Sequence, residues 1–362
     1  MFGQIEIQNK KIGFITLSNF RSPIPSTRIT VLNMLPMLKE HGFDPEIAYQ
    51  PDGSNETPDL SNLCCNYLAE KFQIIYFQKV HGPSVVKLAG RLSRAGVKTV
   101  YGVCDRMDLE MTEVTDRTIV VSDYLKSFYP DQFQSKVRVV HDGIEHSKVY
   151  KSTWGNHRGS RVKPIHAVLV TSHRLNSLPL FEKPPAWLSV TIVGRYAPRW
   201  NILQRLRQTW WSFSKLQSWQ KRINYLMFLS RWNIRRVPWE KNQVYEIMRQ
   251  ADIGIVPIER EPQHQPGSVP PAWKLKSENR LTMKMSVGLP VIASRIPSYD
   301  PVIEQGVTGY LAETEQDWIH LLNKLRNPCL RASIGVKARA SVLERYSKER
   351  QAQLLLRVLR EF

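Results

Sequence analysis

Short, predominantly apolar stretches alternate with amphipathic ones along most of this chain. Residues 11–17 (KIGFITL) predict a buried strand, and residues 26–41 carry Ile29, Leu32, Leu35 and Leu38 at helical spacing before Gly42 ends the helix. Strand-like runs follow at part of 46–49 and at 74–78, 99–103, 119–121 and 137–140, with helical patterns such as 84–95 between them. Strands alternating with helices predict a parallel sheet covered on both faces.

After Glu145 the pattern lapses into HSKVYKSTWGNHRGSRVKP, which is polar, basic and aperiodic and reads as a linker. A second alternating series then places strands at 167–171, 190–193, 234–237, 253–258, 290–294 and 310–312. The last helix, 348–361, has Ala352, Leu355, Leu356 and Leu359 on one side and needs a surface to pack against. The expected division is therefore 1–150, a linker at 151–165, 166–345, and a terminal helix at 346–362. Two doubly wound, Rossmann-like α/β domains in tandem would face a central cleft at the carboxyl ends of their strands, where such sheets bind ligands.

Composition narrows the setting. The 362 residues exceed one compact core, and a hydrophobic content of 42% fills two. No stretch approaches the roughly eighteen apolar residues of a membrane span, and the opening MFGQIEIQNKK is polar where a secretory signal is apolar, so a soluble or peripheral protein is expected. Cys64, Cys65, Cys104 and Cys329 form no CxxC pair or metal spacing, which fits a reducing cytoplasm. The 51 Lys and Arg against 32 Asp and Glu leave a charge of +19, which attracts phosphates on nucleic acid, anionic lipid or a nucleotide without choosing among them.

The most informative chemistry lies at 273–294, WKLKSENRLTMKMSVGLPVIAS, a loop, a short helix, a Gly-Leu-Pro turn and a strand. With Ser277 as N-cap, Glu278, Asn279 and Arg280 form the first turn and Lys276 precedes it, so cations and free backbone N–H groups converge where a diphosphate fits. A cation about 4 Å from a phosphate oxygen gains roughly 4 kcal/mol at a surface-like dielectric before desolvation is subtracted. Arg280 can fork onto two oxygens, and Asn279 can donate and accept toward a ribose or sugar hydroxyl. A solvated helix start with ordinary capping explains the same residues equally well. No Ser-His-Asp order, zinc spacing or P-loop accompanies them.

Ala251-Asp252-Ile-Gly-Ile-Val-Pro257, Lys276-Ser-Glu-Asn279-Arg280, Ser286-Val-Gly288-Leu-Pro290-Val-Ile-Ala-Ser and Gly306-Val-Thr-Gly309-Tyr-Leu together resemble the C-terminal domain of GT-B glycosyltransferases, especially those of family 4. Val120-Val-Ser122-Asp-Tyr124-Leu and Val137-Arg-Val-Val-His-Asp142-Gly143-Ile-Glu145 resemble the end of that family's N-terminal domain. The resemblance implies a GT-B fold with an N-terminal acceptor domain, a C-terminal nucleotide-sugar domain and a last helix crossing back to the first. It implies transfer of a sugar, such as a hexose, from a nucleotide-sugar to a hydroxyl in polysaccharide, glycolipid or other glycoconjugate synthesis, with retention and with no metal or cofactor besides the substrate.

Residue by residue, it assigns Lys276, Ser277, Asn279 and Arg280 to the donor diphosphate and Glu278 and Asn279 to the donor sugar or ribose. The family's two glutamates, eight positions apart, are here Leu275 and Met283. Their absence leaves room for a GT-B-like protein that binds a sugar nucleotide or glycan without catalysis. The family also places basic residues after strands of the second domain, where this chain has His173, Arg174 and Arg195. Its glycine-rich first loop is replaced by 18–28, with no glycine, where Ser26 and Arg28 stand at a helix start. Ser26 reads as readily as a simple cap. His81 and Asp105 follow strands on the acceptor side, with Asp105 a candidate base.

One segment stands apart. Six of the ten tryptophans and eight Arg or Lys lie between residues 200 and 239 without a single acid. Such a mixture suits the anionic surface of a membrane's inner face and a lipid-linked acceptor. Nucleic acid is a weaker alternative, because no helix-turn-helix, RRM or zinc-finger spacing accompanies it. At least half of the tryptophans are expected to pack between helices and sheet.

Overall fold

In the computed structural model, residues 10–178, 184–259 and 270–362 are described. The polar stretch at residues 1–9 lies outside them. The chain divides into two compact units: the first comprises residues up to Glu145, residues 270–277 and Tyr346–Phe362, and the second runs from His146 to residue 259 and over Glu278–Arg345.

The first unit is a six-stranded parallel sheet in the order β2-β1-β3-β4-β5-β6. Its strands are β1 (Lys10–Thr16), β2 (Phe43–Tyr49), β3 (Ile74–Gln78), β4 (Lys98–Val103), β5 (Arg117–Val120) and β6 (Val137–Val139). Alternation along β1 sends Ile15 into one core with Phe77 and Tyr101, and Ile12 and Phe14 into another with Tyr76 and Val100. The second core is closed by the helix Lys348–Leu359, whose Ala352, Leu355, Leu356 and Leu359 are buried in it. Burying each of those leucines is worth about 1.5–3 kcal/mol. The Gln351 side chain accepts from the backbone N–H of His141, and Glu361 pairs with Arg117 and Arg138.

The helix expected over 26–41 is broken into Pro25–Thr27, a wide π turn Arg28–Leu32, and Leu35–Glu40. Pro36 has no N–H to return to the Leu32 carbonyl, so the ladder cannot continue. The N–H of Asn33 instead reaches back to the Arg28 carbonyl at 2.9 Å.

The second unit holds a parallel sheet in the order β12-β11-β10-β7-β8-β9. Its strands are β7 (Ile165–Val170), β8 (Leu188–Gly194), β9 (Ile234–Pro238), β10 (Ile253–Val256), β11 (Val291–Ser294) and β12 (Tyr310–Ala312). Counted within the unit this is the order 3-2-1-4-5-6 of dinucleotide-binding sheets, with its switch point between β7 and β10. In the first unit the order reverses between β1 and β3. Ligand sites belong at the carboxyl ends of these strand pairs.

Residues 151–164 form no regular element, the last residue of the expected linker, Ile165, already opening β7, but they are fastened to the second unit. The Lys151 N–H donates to the Val287 carbonyl, Trp154 Nε1 to the Gly288 carbonyl, and Arg331 reaches the carbonyls of Gly155 and His157.

Candidate functional site

The chain leaves β10 at Pro257 and returns through the helix Asn279–Ser286 to β11, so the helix start lies on the carboxyl side of the second sheet. The helix begins one step later than the sequence suggests. Glu278, not Ser277, holds the N-cap position; its carbonyl accepts from the N–H groups of Leu281 and Thr282, and no side chain caps the turn. Ser277 therefore stands outside the helix, while Asn279 and Arg280 occupy its first turn. Their backbone N–H groups precede the first helical hydrogen bond and are free of the ladder by geometry.

The helix end explains the Gly-Leu-Pro turn. Gly288 adopts φ +87°, its N–H donates to the Met285 carbonyl, and the Leu289 N–H to the Lys284 carbonyl. That is a Schellman motif, which needs the left-handed residue that glycine supplies without strain. Pro290 then prevents further helix and leads into β11.

Beneath the helix start the structure places groups that sequence reasoning missed. Lys284 is fully buried, and its Nζ donates to the Arg280 carbonyl at 2.9 Å. Burial, then the charge of Arg280, holds its ammonium well below the ordinary lysine range. Tyr299 is also fully buried, and its hydroxyl has no hydrogen-bond partner among the described residues. Burial pushes its pKa up to about 12, with Arg280 pulling it down and Glu278 up. Nothing in the linear order of residues 273–299 signals that Lys284 and Tyr299 are buried so completely. Glu278 is buried as well, whereas Lys276, Ser277, Asn279 and Arg280 are half-buried. The division of the chain falls inside the motif: Lys276 and Ser277 count with the first unit, Glu278 onward with the second.

The other basic candidates of the second unit adjoin one another. The Arg195 N–H donates to the His173 carbonyl, bringing the loops after β7 and β8 together, and the Arg195 side chain is exposed. Arg174 lies over the Trp211 ring. The positions of the family's glutamates are filled by buried apolar side chains, Leu275 in the first unit's core and Met283 in the second unit.

In the first unit a polar clasp marks the switch point. Gln78 at the end of β3 accepts from the Leu17 N–H and the Thr27 hydroxyl, and Thr27 and Ser18 hydroxyls lie 3.0 Å apart. Lys79 follows with φ +60°, a strained conformation for a side chain of its kind, and its N–H donates to the Gly102 carbonyl. This turn aims the Lys79 ammonium at Asp105 (2.9 Å) and Glu56 (3.5 Å). Burial opposes the charge, but the carboxylates of Asp105 and Glu56 outweigh it and hold Lys79 above the ordinary lysine range. His81 joins the same cluster through Arg106 and faces Glu56 at 3.9 Å. His81 and Asp105 are thus brought together, through Lys79, Glu56 and Arg106, which the sequence did not single out.

Beside the cluster lies a shallow open recess bordered by Ser26, Tyr76, Lys79, Cys104 and His141. Burial and then Asp105 raise the Cys104 thiol well above its ordinary range, so it is no thiolate nucleophile. Ser26 borders the recess but does not cap its helix; Ile24 holds the N-cap position, with Pro25 next. Arg28 points elsewhere. It is buried and forks onto Glu145 at 2.7 and 2.9 Å, and Asn33 donates to the same carboxylate at 3.0 Å. Among the described residues no group of three or more His, Cys, Asp or Glu could hold a metal ion.

No family model matches this chain, and no curated protein sequence matches it. Solved structures match over nearly all of it. HepE of Anabaena in complex with UDP is 14% identical, covers 97% of this chain and 100% of its own, and superposes with a TM-score of 0.63. A glycosyltransferase from Rickettsia africae is 11% identical over 98% of both chains with a TM-score of 0.64. Sucrose-phosphate synthase from Thermosynechococcus elongatus is 13% identical over 98% of this chain and 99% of its own, with a TM-score of 0.63. Two six-stranded parallel sheets in these orders, shared with such glycosyltransferases, give the chain the GT-B fold.

Proposed function

We propose that the protein is a glycosyltransferase similar to family 4, moving a sugar such as a hexose from a nucleotide-sugar to a hydroxyl. The observation that carries this reading is the first turn of Asn279–Ser286, where Arg280 and helix N–H groups stand on the carboxyl side of a 3-2-1-4-5-6 sheet. HepE, a protein of the same fold, has been solved with UDP and with UDP-glucose. In the reaction the bond from the anomeric carbon to the diphosphate oxygen breaks, a bond to the acceptor oxygen forms, and the acceptor hydroxyl gives up its proton. Arg280 and Lys276, with Ser277 nearby, stabilise the charge gathering on the diphosphate, Asn279 orients the donor, and Glu278 and Asn279 take the place of the missing glutamates at the sugar. Arg174 and Arg195 are secondary cations for the same diphosphate. Ser26, His81 and Asp105 line the acceptor side, and Arg28 braces it through Glu145.

Retention of configuration and independence from metal belong to this proposal, as does a division into acceptor domain, donor domain and returning helix. So does work in the cytoplasm on a lipid-linked or polysaccharide acceptor, at the inner face of a membrane that the basic segment 200–239 meets. One observation favours a second reading, a binding protein without catalysis: Leu275 and Met283 are buried where the family has carboxylates. Calorimetric titration with UDP-sugars, followed by assay of donor hydrolysis and transfer, tests both. Donor binding with turnover supports the enzyme, binding without turnover supports the second reading, and no binding of any nucleotide-sugar defeats both.

A further inference from the structure

The crossover between β8 and β9 is made of two helices, Ile202–Lys215 and Trp219–Ser230. Their inner sides pack on the second unit's core through Phe213 and Leu216 and through Tyr225, Phe228 and Leu229. A helix that buries one face is ordinarily polar on the other. Here the outer faces are apolar as well. Ile202, Leu206 and Trp210 recur at i, i+4, i+8 with Leu203 beside them, and Trp219, Ile223, Leu226 and Met227 recur likewise on the second helix; all are exposed. Trp200 is 81% exposed, Trp219 72%, Trp210 71%, Trp232 61% and Trp211 53%, so five of the segment's six tryptophans face outward, against the expectation that at least half would pack inside.

From this face we infer that the two helices form a monotopic docking surface for anionic lipid, lying in the headgroup layer with their outer side chains in the acyl boundary. The inference deepens the membrane placement proposed above and rests on it. Both helices, of 14 and 12 residues, are shorter than the roughly 20 residues a span requires, and no helix among the described residues is long and apolar enough to cross a membrane. Tryptophans on an apolar face beside Arg205, Arg207, Lys215 and Lys221 are what an interfacial helix needs.

The charge selects the occupant. A second copy of this chain would set Arg and Lys against Arg and Lys, with no acid anywhere in residues 200–239 to relieve them. Nucleic acid would meet the cations and stack on the tryptophans, but it offers nothing to Ile202, Leu203, Leu206, Ile223, Leu226 and Met227. A bilayer carrying anionic headgroups answers both demands at once.

Flotation of the full chain tests this with vesicles of phosphatidylcholine alone and of equal parts phosphatidylcholine and phosphatidylglycerol. The wild type is expected to float with the anionic vesicles and to be released by salt. Trp210→Ser with Trp219→Ser should lower partitioning at least tenfold, and Arg205→Gln with Arg207→Gln and Lys221→Gln should lower it by about fivefold per cation. All five side chains are exposed, so thermal midpoints should hold and nucleotide-sugar titration should be unchanged. Anionic-vesicle binding untouched by either variant overturns this docking face while leaving the membrane placement standing. Absence of vesicle binding overturns both, whether the patch instead forms a concentration-dependent dimer or binds single-stranded RNA. Equal binding to neutral and anionic vesicles overturns the lipid selectivity.

Discussion

The Arg174 guanidinium carbon lies 4.9 Å from the centre of the Trp211 ring, and the Lys215 ammonium lies 3.9 Å from it. Trp211 thus gathers two cations and ties the loop after β7 to the first helix of the crossover. A cation over an exposed indole is worth about 0.5–1 kcal/mol. Arg174, already engaged with the ring, is therefore expected to be a much weaker cation for a bound diphosphate than Arg280. Arg174→Ala should change UDP-sugar affinity by less than about threefold and lower stability by no more than that cation–π contribution, as read by calorimetry and urea unfolding.

Arg280 should behave differently. It stands in the first turn of Asn279–Ser286, where it adds a forked cation to helix N–H groups. Losing a charged hydrogen bond costs about 1.5–3 kcal/mol, so Arg280→Ala should weaken donor binding by roughly 10- to 150-fold. Arg280→Lys should recover only part of the loss, because an ammonium cannot fork onto two oxygens. Unchanged donor binding in Arg280→Ala would remove the diphosphate assignment.

The buried pair Arg28–Glu145 makes a stability prediction. Its two side chains are each 8% exposed and joined by two hydrogen bonds. Removing one partner strands the other charge away from water, which costs about 3–5 kcal/mol. Glu145→Ala and Arg28→Ala should each lower unfolding stability by that order in chemical denaturation, and the double variant should cost much less than their sum.

Gly335 lies within the helix Pro328–Tyr346, where alanine is ordinarily worth up to about 1 kcal/mol more than glycine. Here a Cβ would fall 2.3 Å from the Gly288 carbonyl and 2.7 Å from Trp154 Nε1. The expected sign is reversed. Gly335→Ala should destabilise by about 1–3 kcal/mol, measured as a lower denaturant midpoint at unchanged slope.

Lys284 gives the protein a pH dependence. Burial, then Arg280, depress its folded-state pKa well below the ordinary 10.5, so the unfolded chain holds the proton more tightly than the folded one. The resulting penalty is full below the folded value, shrinks as pH rises, and is gone above 10.5. Lys284→Met, which fills similar space without the charge, should raise the thermal midpoint at neutral pH by a few degrees. Its advantage should fade as the pH approaches 10; an advantage that grew with pH would contradict the account.

The sequence by itself determined both parallel sheets, because apolar runs such as 74–77 and 253–256 can be satisfied only by burial on both faces. It determined the Gly-Leu-Pro stop as well, since Gly288 and Pro290 act through their own backbones. One strand end is overrun: β10 is expected to reach 258 but stops at Val256, because Pro257 cannot donate to the ladder. What only the tertiary structure decided were relationships among residues far apart in the chain. Arg28 finds Glu145, 117 residues away, and Lys348–Leu359 finds the face of β1 and β3 from the other end of the chain, pairings that no local period encodes. The tryptophans show the same limit in reverse: their number is plain in the sequence, but whether an indole is buried depends on how much core surface is left to cover it. Two short helices can cover the sheet with Phe213, Tyr225 and Phe228, which leaves Trp210 and Trp219 facing outward.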